Sequence, residues 1–215
     1  MSNIPFGNGV PITDNVVTGA SFTAGKMTLT KQVGADITAS VGGVYAAQVT
    51  SDDTDFDVVG GNPTTANQKG GEVTALRVTG INGNTSKVLL QFSIVGEWDG
   101  QEYEKGVVIA RRTSDTIGGT YADDTILRAD DASARTRFIQ NFTISFPANH
   151  DSTLECCNGI YIDTPTPNKF HEYTVVLVNS EASTVTKKFH LNRTDRGLDS
   201  NAFEVGVSCL TAQEF

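Results

Sequence analysis

The residues whose type and spacing come nearest to chemistry are acids. Asp53-Thr54-Asp55-Phe56-Asp57 alternates carboxylates as the opening of a calcium loop does. Calcium takes roughly six to eight oxygens, with a glycine at the sixth loop position and a bidentate acid at the twelfth. Counted from Asp53, those positions are Val58 and Thr64, and neither can serve. Asp53, Asp55 and Asp57 are therefore candidates for a surface cation only, with a solvated loop as the plainer reading. Asp123-Asp124 and Asp130-Asp131 are two further acidic pairs, read mainly as solubility devices, with an apical cation shared between subunits as the alternative, and as candidate contacts of exposed loops. His150 sits in a polar stretch. His171 and His190 flank strands expected to face each other in a hairpin, but no serine or cysteine signature accompanies them. The chain has no G-x-S-x-G, H-E-x-x-H or P-loop. A glycosidase-like carboxylate pair would show itself only in three dimensions. The expectation is a protein that is not an enzyme, with no catalytic residue and no cofactor.

Three cysteines, Cys156, Cys157 and Cys209, read as thiols and small strand residues, since adjacent cysteines do not readily bond each other and no C-x-x-C is present. The sequons at Asn84, Asn141 and Asn192 carry little weight without a secretory signal, and Met1-Ser2-Asn3-Ile4-Pro5 lacks a basic, apolar leader. No segment reaches the roughly 18 apolar residues of a membrane span. The net charge of −9 and the scattered basic pairs Arg111-Arg112, Arg135/Arg137 and Lys187-Lys188 disfavour a phosphate-tracking groove, so nucleic acid is not an expected partner.

Short strands must position these residues. Glycine, threonine, valine and asparagine recur through the 215 residues, and no sustained 3.6-residue apolar period is present. Residues up to Val44 read as three short strands, Val16–Ala24, Met27–Lys31 and Asp36–Val41, too small to stand alone. Val44–Thr50 is a further strand, and residues 51–72 read as a long acidic, Gly/Asn/Thr-rich loop. From Val73 about eight strands follow, punctuated by turns, as in a sandwich or jelly roll. Asn82-Gly83 and Asp99-Gly100 are hairpin signals on either side of the strand Lys87–Trp98, whose apolar face is Val88, Leu90, Phe92 and Ile94. Arg137–Phe146 alternates strictly and is the most regular strand pattern. The strand His171–Asn179 is apolar on both faces, Tyr173, Val175 and Leu177 on one and Val176 and Val178 on the other. Such a strand is buried on both sides. Its second face is expected to meet another subunit, which makes Tyr173, Val176 and Val178 the candidate interface residues.

The last third carries a recognisable succession: Tyr161-Ile162-Asp163-Thr164-Pro165, the strand from His171, Phe189-His190-Leu191-Asn192-Arg193, and the terminal Ser208-Cys209-Leu210-Thr211-Ala212-Gln213-Glu214-Phe215. Ser86-Lys87-Val88-Leu89 leading to Ile94, Arg112 to Ile117-Gly118, and Tyr173-Thr174-Val175 precede or join it, and Val17–Thr30 adds a repeat-like "V-T-G-x-x-F" phrase. Together they resemble compact jelly-roll heads on trimeric fibres and knobs of tailed, often marine, bacteriophages, a fold type shared with tumour-necrosis-factor and C1q-like trimers. The Cys156-Cys157 pair and the final Phe215 depart from the pattern. The resemblance implies an all-β chain in three parts: residues 1–44 as a virion anchor, 45–72 as strand and linker loop, and 73–215 as a C-terminal jelly-roll head. It implies a homotrimer on the virion surface, assembled in the host cytoplasm. Residues 1–44 would hold the major capsid protein or another virion protein. The loops with Asp123, Asp124, Asp130 and Asp131 would face a host-surface glycan. Head decoration is preferred over a short tail-fibre receptor-binding protein because no long shaft precedes Val44. A soluble C1q-like carbohydrate-binding protein is the reading from another class.

Overall fold

The computed structural model describes residues 5–6, 10–11, 17–23, 26–31, 37–40, 43–50, 54–84, 87–99, 105–129, 137–142, 154–194 and 205–215. The chain divides into two compact units, Met1–Gly42 and Gly43–Phe215. In the first, β1 (Pro5–Phe6) pairs with β2 (Val10–Pro11), and β3 (Val17–Thr23), β4 (Lys26–Lys31) and β5 (Ile37–Ser40) form an antiparallel meander. These last three are the short strands expected before Val44.

The second unit is built from two antiparallel sheets with no helix among the described residues, an all-β arrangement compatible with a sandwich. Its strands are β6 (Val44–Val49), β7 (Asp55–Val59), β8 (Glu72–Asn82), β9 (Val88–Trp98), β10 (Lys105–Ser114), β11 (Ala122–Leu127), β12 (Gln140–Asn141), β13 (Glu155–Asp163), β14 (Phe170–Asn179), β15 (Thr186–Leu191) and β16 (Ser208–Glu214). The front sheet runs β13-β9-β16-β6, and β15 continues along β9 beyond β16, with β7 outside it. The back sheet runs β8-β14-β10-β11, with β12 beside β11 on the same edge of β10. Four ladders nest in chain order: β6 with β16, β8 with β14, β9 with β13, and β10 with β11.

The period-two patterns fix the core. Val88, Leu90, Phe92, Ile94 and Trp98 of β9 face Tyr173, Val175 and Leu177 of β14 across the space between the sheets. Trp98, Phe142 and Phe189 form an aromatic knot there, with centroids 5.0 to 5.9 Å apart. Gly96 is required beside it. A Cβ at that position would lie 2.3 Å from the His190 carbonyl oxygen and 2.4 Å from the Phe189 ring.

Several local expectations give way to tertiary context. The Asn82-Gly83 and Asp99-Gly100 signals do not close hairpins: β8, β9 and β10 alternate between sheets, so the first turn is a crossover, and Gly100 lies outside the described residues. His171 and His190 are on opposite sheets rather than in one hairpin. The expected loop 51–72 contains β7, and residues 60–71 strap the back sheet. Gly61 N donates to Asn179 O at 2.9 Å, Leu177 N to Gly71 O at 2.8 Å, and Ala66 N to Asp124 Oδ2 at 2.7 Å. Of the strand expected at Arg137–Phe146, only Gln140–Asn141 pairs among the described residues, and residues 143–146 lie outside them. The chain there rolls over the sheet edge: Phe138 packs on the outside of the back sheet, while Phe142 is in the core.

That strap and that edge also cover the second apolar face of β14. Val176 and Val178 are fully buried in a cluster with Ala66, Val108 and Ala110, flanked by Ile126 and Phe138. Tyr173 is buried in the main core. The two-sided strand is therefore satisfied within one chain, and Tyr173, Val176 and Val178 do not form an open surface.

Candidate functional site

Of the charged residues singled out by sequence, Asp55, Asp124, His171 and His190 lie in clusters that tie strand ends together, and His150 lies outside the described residues. Asp55, at the start of β7, accepts from His190 Nδ1 at 2.8 Å and from an Arg193 guanidinium nitrogen at 2.5 Å, with Lys188 Nζ 3.7 Å away. Three basic groups around one carboxylate are the wrong surroundings for a bound cation. Asp57 is exposed two residues on, and Asp53 lies outside the described residues.

A second cluster sits on the outer face of the back sheet. Arg112 holds Glu72 in a two-pronged pair, at 2.7 and 2.9 Å, and also reaches Glu172 at 3.0 Å and Asp124 at 2.5 Å. Arg77 reaches Glu72 at 2.6 Å and Glu172 at 3.4 Å. Burial works to raise the Glu72 pKa, but hydrogen bonds from Arg112 and Arg77 outweigh it and lower the group below its ordinary value. The bond to Glu72 raises Arg112 against the same burial. Asp124, a candidate glycan contact, is thus spent on Arg112 and on the strap at Ala66 N. The Asp123 side chain, Asp130 and Asp131 lie outside the described residues.

A third cluster closes one end of the sandwich. Asp163 accepts from Arg111 at 2.8 and 3.0 Å and from the Tyr173 hydroxyl at 2.8 Å. Burial, then the charge of Asp163, pushes the Tyr173 phenol upward. His171 stacks on Tyr173 and lies 3.0 Å from Thr166 O through Nε2, and burial lowers its pKa. Glu214 accepts from Gly43 N at 2.8 Å and from Asn82 N at 2.5 Å. Burial, then Glu214, raises Tyr45 to about 12.

The motif residues thus have structural tasks. Asn192, buried at φ 61°, donates to Val49 O at 2.8 Å and accepts from Ser208 Oγ at 2.6 Å. Each carboxylate of the three clusters, Asp55, Glu72, Asp124, Glu172, Asp163 and Glu214, accepts from a side chain or a backbone amide. Such charge-assisted hydrogen-bond clusters stiffen a fold.

The exposed chemistry lies elsewhere, on the outside of the front sheet. Ile160 (63% exposed) and Ile162 (56%) project from edge strand β13, paired across from Gln91 and Leu89 of β9. Val44 lies on β6 at the opposite edge, Val205 and Val207 lead into β16, and Phe215 ends it; all are exposed. Among the described residues only one other large apolar side chain is exposed, Ile117 at the turn between β10 and β11. The outward positions of β6, β13, β16 and of β9 from Leu89 to Val95 hold no charged residue. Charges resume only at Glu97 and in the β15–β7 half, with Lys188, His190 and Asp55. Cys156 and Cys209 are half-buried on this face, with Cys156 Sγ 3.8 Å from Ser93 Oγ. Cys157 points inward, and burial, then neighbouring Cys156, raises it to about 12. An open groove of about 360 Å³ borders the face, lined by Gln91, Phe92, Gln140, Asn158, Gly159 and Ile160. The sequence carried a signal for this surface in the uncharged alternation Cys156, Asn158, Ile160, Ile162, which the two-sided pattern of β14 overshadowed.

No protein-family model matches the chain, and no curated protein matches it.

Proposed function

We propose that this chain is a bacteriophage virion structural protein. In this reading it is a homotrimeric capsid-decorating knob or head fibre, displaying a jelly-roll head of the tumour-necrosis-factor and C1q-like type for adhesion at a cell surface. The observation that carries the reading is the nesting of ladders. Numbering β6, β8, β9, β10, β11, β13, β14 and β16 from first to last, the first pairs with the last, the second with the seventh, the third with the sixth and the fourth with the fifth. That wrapped order is what an eight-stranded double Greek key requires. The motifs of the resemblance fall at its joints: Asp163 ties β13 to β10 and β14, and Asn192 ties β6 to β16.

The unit Met1–Gly42 is the anchor in this reading, and the head begins at Gly43. Every ladder of the head lies after that point, so removing residues 1–42 leaves its pairing whole. The test is sedimentation of purified protein with isolated capsids. The full chain should co-sediment, and the chain lacking residues 1–42 should stay soluble, folded and unbound. A full chain that ignores capsids, or a truncated chain that still decorates them, refutes the assignment.

A further inference from the structure

We infer that the bare part of the front sheet, from edge strand β13 across β9 and β16 to β6, is the surface on which copies of this chain meet. The inference rests on the homotrimer proposed above and names its interface.

Charge selects the occupant. The chain carries a net charge of −9, so two copies repel each other over most of their surface. In a closed trimer each contact joins two different parts of the surface, both drawn from the same strongly negative chain, so acids left on either part would add to that repulsion. The bare face holds no charged residue at its outward positions, while the rest of the same sheet and the back sheet hold the ion-pair clusters. Depletion of charge at the centre of a contact, with apolar side chains in its place, is the compositional mark of an interface.

Apolar content and size agree. Ile160, Ile162, Val44, Val205, Val207 and Phe215 are exposed on this face or at its margins, against Ile117 alone elsewhere among the described residues. Four strands about 4.8 Å apart, along the nine residues of β13 at about 3.3 Å each, span on the order of 570 Å² when flat. With the relief of standing side chains the face approaches the roughly 800 Å² per partner of a standard stable contact. Among the described residues the back sheet shows no equivalent apolar exposure, because residues 60–71 and Phe138 cover Val108, Ala110, Val176 and Val178.

Two native thiols report on the face. Cys156 and Cys209 lie on it, while Cys157 is shielded in the core in any assembly state. The test combines sedimentation-velocity mass with maleimide labelling of the full native chain, read by intact mass. The wild type is expected at three times its 22.9 kDa chain mass, with Cys156 and Cys209 protected. Ile160→Asp and, separately, Ala46→Glu place a carboxylate at exposed positions that a single chain tolerates. Each is expected to give single chains with an unchanged far-UV spectrum and two open thiols. If the wild type is multi-copy but both thiols label freely and both folded variants keep their copy number, this interface is wrong while the oligomer stands. If the wild type is a single chain at micromolar concentration, the homotrimer itself fails.

Discussion

Val176→Ala decides whether the second face of β14 is an interior or an interface. Val176 is fully buried beneath Ala66 of the strap and beside Val108, Ala110 and Val178. Truncation to alanine removes two methyl groups, worth about 0.8 kcal/mol each by transfer. The strap is pinned by Ala66 N to Asp124 and by Leu177 N to Gly71 O, so it cannot collapse fully into the void. A cavity term therefore adds to the transfer term, for a total of about 2 kcal/mol. In a domain of this size that corresponds to a fall in Tm of about 4–8 °C. The assay is thermal unfolding of wild type and variant across a hundredfold range of chain concentration. An interior position predicts the same difference at every concentration, because strap and strand belong to one chain. A difference that grows on dilution would place Val176 between subunits and refute the assignment. A loss below about 0.5 kcal/mol would show that the strap does not seal the face.

Arg112→Met leaves Glu72 and Glu172 with Arg77 and Asp124 with the Ala66 amide, and should cost about 3 kcal/mol in urea unfolding at neutral pH; Arg77→Met, at a more exposed position, should cost less. Because Glu72 is lowered in the fold, its stabilisation is present above its ordinary value of about 4.3 and lost as pH falls through the folded value, so the acid limb of the urea midpoint should flatten in Arg112→Met. His171 is also lowered, facing Arg111, Asp163, Tyr173 and the Thr166 carbonyl; its contribution is complete above about pH 6.5 and declines as pH falls through its folded value. His171→Gln should remove that part of the slope in a pH series of urea midpoints, and an unchanged slope would exclude His171 as its source. Gly96→Ala should destabilise by about 1–3 kcal/mol in the same assay, since its Cβ meets backbone and the Phe189 ring rather than a yielding side chain.

Strand positions were legible because alternation is a local property. Val88, Leu90, Phe92 and Ile94 line the core as their spacing indicates, and β14 begins and ends within a residue of the expected His171–Asn179, while the last strand, expected from Phe203, begins only at Ser208. Pairing was not legible, because a turn reports that the chain reverses and not which sheet it enters next. Asn82-Gly83 reads as a hairpin in isolation, yet β8 and β9 are in different sheets. The two-sided pattern of β14 correctly indicated burial on both faces, but periodicity cannot name what does the burying. Residues 60–71 carry too little apolar content to announce themselves as a cover; Ala66 is the one apolar residue they put into the second cluster. The acids of Asp55 and Asp124 looked available for a cation or a glycan because their partners, His190, Arg193 and Arg112, are distant in sequence or on another strand.

The distribution of charge over the two sheets has one consistent physical account. Arginine and glutamate that point outward but are largely shielded from water are satisfied by lateral pairing, as Arg112 is with Glu72, Glu172 and Asp124 across the sheet. That network crosses the outside of the back sheet from β8 to β11, and the strap and Phe138 cover the apolar residues beside it. The back sheet is thereby complete within a single chain. The front sheet receives neither treatment between β13 and β6: its outward side chains are amides, hydroxyls, thiols and aliphatics that need no lateral partner. Solubility would favour placing some of the 25 acidic residues there, and the sequence places none at those outward positions. Water gains nothing from Ile160 and Ile162 at an exposed edge, where unpaired strand groups already invite association. An uncharged face on a strongly negative chain becomes favourable once further copies of the chain cover it, and the two thiols upon it make that covering directly measurable.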